Sequence, residues 1–231
     1  MTEDFPPTGR ARPIDSMTVA IIAGSAAISY GVAVTLLLVT RVDSATAGVA
    51  QYLVSGLAPI VAVAIVYVVR VRDARALGIR GVTWRWIGIA VGAGIGTIIL
   101  NILVAMVVVL LTGPPSGVQA DYASAYAGGP AVWALAFLAG AVLTPLGEEL
   151  LFRGVLANWL LRYGGWIAVP VSAAVFAVSH GITYILPVAF VVGVVTALLF
   201  RATASIWPGV IVHAIYNGYV ILAGALAASA A

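Results

Sequence analysis

The chain contains no cysteine and no lysine. The first absence excludes disulfides and any thiolate metal site. The second leaves arginine as the only basic side chain apart from histidine. Together with the abundance of Ala, Gly and Val, it points to a GC-rich genome, which concerns origin and not function. Charge of either sign is scarce: 8% of residues are Asp, Glu, Lys or Arg, and 63% are hydrophobic. Soluble domains carry roughly 25% charged residues, so that class is excluded and the chain reads as a polytopic membrane protein. The net charge of +3 and pI near 9.4 do not argue for a nucleic-acid partner. Five of the eleven arginines are concentrated in one short loop, where a topology signal accounts for them. Histidine is present only as His180 and His213.

What remains is mostly long apolar runs. Spanning a bilayer takes roughly 20 such residues. The runs predict helices over 17–40, 49–69 and 86–112, a fourth from about 131 to 161, and then 165–182, 186–200 and 206–228. The expected fold is all-α, a transmembrane helical bundle of about seven helices in the lipid bilayer. The fourth helix is expected to break near Pro145, which lacks an N–H and clashes with the preceding turn. Gly147 weakens the same point. A broken helix is tolerated at membrane depth only where protein or a cavity satisfies the freed backbone.

Residues 1–16 are polar, contain Pro6, Pro7 and Pro13, and read as a disordered tail. The run from Met17 to Thr40 is too long for a signal-peptide core and lacks a convincing small-x-small cleavage site. It reads as an uncleaved first helix. The division expected is tail 1–16, N-terminal helices 17–129, and a core 130–228 that holds the polar motifs. Arg70, Arg72, Arg75, Arg80 and Arg85 face one acid, Asp73, in the loop after the second helix. The positive-inside rule places that loop, and with it the N-terminus, in the cytoplasm. Loop 113–130, without a basic residue, goes outside. Arg162 and Arg201 agree, and Arg41 does not. Trp84 and Trp86 sit where interfacial anchors belong. The expected location is a bacterial cell membrane.

Three polar clusters interrupt the apolar runs. Glu148 and Glu149 are adjacent and are the last acids in the chain. A carboxylate at membrane depth is costly and marks a functional site by default. Glu149 and Arg153 are i,i+4 and share a helix face. Glu148 points about a hundred degrees away, so one carboxylate is neutralised and the other left free. The second cluster is Phe176 with His180. The third is His213 with Asn217, again i,i+4 on one face. Taken singly, each has a bland reading: a helix-end ion pair, or polar glue between helices. Taken together, they use every histidine and both late acids.

Two chemistries fit this set. In one, Glu148 acts as a general base on water with help from His180. His213 and Asn217 then hold a developing oxyanion. In the other, Glu148, His180 and His213 bind a metal, most naturally zinc. No H-E-x-x-H helix is present. The metal-free route is preferred, because Asn217 has a role there and is a poor zinc ligand; it requires no cofactor.

The clusters resemble the CAAX protease and bacteriocin-processing family of intramembrane proteases, also called Abi or Rce1-like. That pattern reads E-E-x-x-x-R, then F-x-x-x-H, then H-x-x-x-N. Here it stands as Glu148-Glu149…Arg153, Phe176…His180 and His213…Asn217. Ser205-Ile-Trp207-Pro208 is similar as well. The resemblance covers about residues 130–220. It implies a membrane-embedded endopeptidase acting on a membrane-associated or lipidated protein or peptide. The resemblance leaves two mechanisms open for the family, that of a metalloprotease and a glutamate-dependent one. Under the latter, Glu148 and His180 would activate water, and His213 with Asn217 would form the oxyanion hole. Glu149 and Arg153 would support the site, and Phe176 would pack beside it. Two other classes stay open. A proton- or ion-coupled transporter also uses buried Glu and His, although no inverted repeat is visible. A non-catalytic, immunity-type membrane protein would keep its phenotype without these side chains.

One geometric condition follows. If the fourth helix ended near Leu151, Glu148 would lie close to the cytoplasmic face, and His180 would sit about 22 Å along its own helix at 1.5 Å per residue. A single site requires the fourth helix to continue to about Leu161.

Overall fold

The computed structural model describes residues 14–40, 43–113 and 129–230. The greater part of the predicted tail and nearly all of the 113–130 loop lie outside the described residues. The described part is helical throughout its regular structure. α1 spans Ser16–Thr40 and α2 spans Ser44–Val66, prolonged by a π turn Tyr67–Val71. α3 spans Trp84–Thr112. α4 runs from Gly129 to Tyr163. α5 spans Gly165–Ser179, α6 Ile185–Thr203 and α7 Trp207–Ala230.

Six of these helices are long and apolar enough to cross a membrane. Their length and apolar composition mark an integral membrane protein. The exception is α5. At 15 residues it is about 22 Å long, short of the roughly 30 Å hydrocarbon layer. Seven spans were expected; the fifth stops three residues before its predicted end, at His180.

The helix starts have local causes. Asp15 accepts from the Thr18 amide at 2.7 Å and pairs with Arg70 at 3.1 Å. The Thr18 hydrogen bonds, and then the Arg70 guanidinium, hold its carboxyl below the usual range. Ile14, just before this cap, is buried. Asp43 caps α2 through the Thr46 amide.

α4 is the interrupted helix. Its α-helical stretches, Gly129–Phe137 and Thr144–Glu149, are separated by a π stretch, Leu138–Leu143. A second π stretch, Leu150–Ala157, follows. Pro145 sits in the first turn of the middle piece, where a missing N–H is tolerated. The break expected near Pro145 is therefore a restart between two widened turns, the form that π insertions commonly take at functional sites. The helix then continues to Tyr163, which meets the condition for a single site.

α2 packs along α4 and α1, α7 lies against α3 and α6, and α5 and α6 form an antiparallel hairpin. Gly147 owes its identity to this packing. A Cβ there would collide with the backbone carbonyl of Gly56 on α2. Two backbones cannot yield as a flexible side chain does. Arg70, Arg72, Arg75, Arg80, Arg85, Arg162 and Arg201 all lie at one end of the bundle, set by the chain order of the helices.

Gly147→Ala should therefore destabilise the folded protein by the ~1–3 kcal/mol typical of overpacking. Gly92→Ala, with nothing near its added Cβ, should leave the detergent melting temperature unchanged or slightly raised. Equal melting temperatures for the two variants would contradict the close approach of α2 and α4.

Candidate active site

Glu148 and Glu149 end the middle piece of α4, 6% and 0% exposed. Arg153, also 0% exposed, follows one turn later in the second π stretch. Its Nη1 lies 3.1 Å from Glu149 Oε1. Its Nη2 donates to the Gly193 carbonyl at 3.0 Å. The guanidinium also lies 4.7 Å from the centroid of the Phe176 ring, a cation–π contact strengthened by desolvation. One of the two carboxylates is thus neutralised, as the i,i+4 spacing requires.

The other is met by both histidines. His213, on α7, places Nε2 3.6 Å from Glu148 Oε2. His180, at the C-terminal end of α5, places Nε2 3.9 Å from the same oxygen. His213 also turns Nδ1 to Glu149 Oε1 at 3.3 Å. It therefore bridges the two acids, a link that spacing along the chain does not reveal.

The histidine Nδ1 contacts fix the tautomers. His180 Nδ1 lies 2.8 Å from the Phe176 carbonyl, which only accepts. That nitrogen carries the proton, and neutral His180 presents a lone pair at Nε2. Glu149 imposes the same protonation on His213 Nδ1. Phe176 fixes both rings. It packs edge-on against His180 and His213, with centroids 4.6 and 5.6 Å apart, and against Phe152 at 5.1 Å.

Asn217 lies one turn beyond His213 and donates to the Gly140 carbonyl at 3.0 Å. That carbonyl belongs to the first π stretch of α4. Asn217 shares a cavity of about 270 Å³ with Glu148, His180, His213 and Phe176. Glu149 and Arg153 stand behind its wall.

Several contributors escaped the motif reading. Tyr52 and Ser55 of α2 and Ala105 of α3 line the cavity from outside the motif-bearing core. Gly209 lets α7 approach Glu149, since a Cβ there would meet Glu149 Oε2. The available signal was glycine at unbroken points of apolar helices.

Two imidazoles and a carboxylate are the donor types of a zinc site. Among the described residues, however, no group of three His, Asp or Glu side chains is gathered to hold a metal ion.

Fold and site together define a membrane-embedded helical protein with a buried carboxylate–imidazole centre beside a cavity. Residues 130–219 match the family model described as type II CAAX prenyl endopeptidase Rce1-like. This is the family that the three motifs resemble, and its match includes every motif residue. No curated protein and no solved structure matches the chain.

Arg153→Leu should leave Glu149 buried without its countercharge and cost ~3–5 kcal/mol. Adding Glu149→Gln should recover a large part of that loss, read by thermal unfolding in detergent. If the double variant were as unstable as the sum of the single ones, the ion pair would not be the reason Arg153 is needed.

Proposed function

We propose that the protein is an intramembrane endopeptidase that hydrolyses a peptide bond of a membrane-associated or lipidated protein or peptide. The observation that carries this reading is the convergence of two imidazole Nε2 atoms on one buried carboxylate at a cavity wall. The family match over 130–219 supports the reaction class. The location is the cell membrane, with the arginine-rich end in the cytoplasm by the positive-inside rule.

Glu148 Oε2 has no hydrogen-bond partner. Its distances of 3.6 and 3.9 Å to the imidazoles are too long for direct hydrogen bonds and suit one bridging water. Glu148 takes a proton from that water, and His180 Nε2 orients it. The oxygen attacks the carbonyl carbon, and the C=O π electrons move onto oxygen. The developing oxyanion lies by His213 and Asn217. Asn217 Nδ2 has two hydrogens, of which Gly140 uses one. Donation from His213 Nε2 to the oxyanion requires protons on both ring nitrogens, the Nδ1–H being held by Glu149 Oε1. Glu149, held by Arg153, offsets the charge on His213. Collapse of the tetrahedral carbon breaks the C–N bond, and Glu148 returns its proton to the leaving amine. The products are one new carboxylate and one new amine.

The test uses purified protein in proteoliposomes with a library of membrane-anchored peptides, with and without S-prenyl groups. Glu148→Gln should lower turnover by about 10²–10⁴, the usual worth of a general base, while leaving the helical fold intact. A zinc chelator should leave the wild type active. Loss of activity on chelation, restored by zinc, would overturn the metal-free mechanism. Full activity in Glu148→Gln would overturn the assignment of the base.

A further inference from the structure

We infer that the cavity is entered from the arginine-poor end of the bundle, over the turn between α5 and α6. The inference rests on the protease reading of the same site, and it adds the side from which water and substrate arrive.

The arginine-rich end is sealed. The segment 72–83 does not hang free between α2 and α3; it folds beneath the site as a floor. Leu77 is 1% exposed and packs with Phe200 and Ile206. Asn158 donates to the Ala76 carbonyl at 2.7 Å. Ile206 N–H donates to the Gly78 carbonyl at 3.0 Å. Ser205 Oγ donates to the Arg80 carbonyl at 2.7 Å. Gly154 of α4 sits so close to the Leu77 carbonyl that a Cβ would collide with it. Three carbonyls of one short loop are thus tied to α4 and to the α6–α7 turn. No residue of that loop lines the cavity.

At the other end, among the described residues, the cavity reaches the rim of the bundle. His180, Tyr184 and Ile185 line the cavity at the α5–α6 turn itself. Ala105 lies about two turns before the end of α3, and Tyr52 and Ser55 lie in the first half of α2. The short α5 explains the opening. Its 15 residues reach about 22 Å, whereas the 29 residues of α3 and the 24 of α7 reach about 43 and 36 Å. The α5–α6 turn therefore stops below its neighbours and, among the described residues, leaves a recess above His180. Ile182, in that turn, is 86% exposed. The recess gives water a path to Glu148 that the lipid-facing helices deny it.

The absence of cysteine makes the test direct. Single variants Ile182→Cys at the rim, Val188→Cys in the cavity wall and Arg75→Cys at the floor are exposed to a membrane-impermeant thiol reagent. Right-side-out and inside-out vesicles are compared. Ile182→Cys and Val188→Cys should react from one face and Arg75→Cys from the other. Modification of Val188→Cys should abolish turnover, and modification of Arg75→Cys should not. Reaction of Val188→Cys from the Arg75 side, or from neither side, would overturn the inference. If the labelling pattern holds but the wild type cleaves nothing, the entry route stands and the protease reading falls.

Discussion

A buried ion pair, Glu149 with Arg153, is the constraint on which the rest of the site depends. Both side chains are fully enclosed, in a chain whose surroundings are hydrocarbon. Neither charge is tolerable there without the other. Their pairing fixes α4 against α6, because Arg153 also reaches the Gly193 carbonyl. It fixes α7 as well, because Glu149 holds His213 through Nδ1. Glu148 is thereby left as the acid without a fixed countercharge, facing the two histidines. The neutralised acid holds its neighbours, and the other lines the cavity.

The architecture serves that separation. The two π stretches of α4 bracket Pro145 and carry Glu148 to mid-bundle. The helix then goes on to the arginine-rich end, where the loop after α2 closes over its last turns. The α5–α6 hairpin is cut short, so His180 comes to the cavity from a helix end while Glu148 comes from a helix middle. A single polar centre is assembled from three helices that enter it at different depths. Phe176 spans the gap, with its ring against both imidazoles and the guanidinium.

Much of this was legible in the sequence. Hydropathy placed most helix ends within three residues, because lipid leaves the backbone no alternative to helix. Spacing of i,i+4 paired Glu149 with Arg153 and set Asn217 beside His213. The demand that Glu148 and His180 meet required α4 to extend past Leu151, and it does. Other features depend on contacts between helices, which one-dimensional patterns do not contain. Nothing in the chain order says that His213 touches both acids. Gly147 read as a weak point and is a contact point, its reason lying on α2 at Gly56. Tyr52, Ser55 and Ala105 have no motif, since a cavity wall is defined by what stands opposite it. The loop of arginines read correctly as one end of the bundle, but its carbonyls, which make it a floor, carry no sequence signal.

The central claim is that Glu148 makes this membrane protein a protease. The most direct measurement compares new peptide termini in membranes from cells producing wild type or Glu148→Gln at equal levels. The account predicts termini within or beside membrane segments that appear with the wild type and are absent with the variant. Identical sets of termini from the two proteins would contradict it.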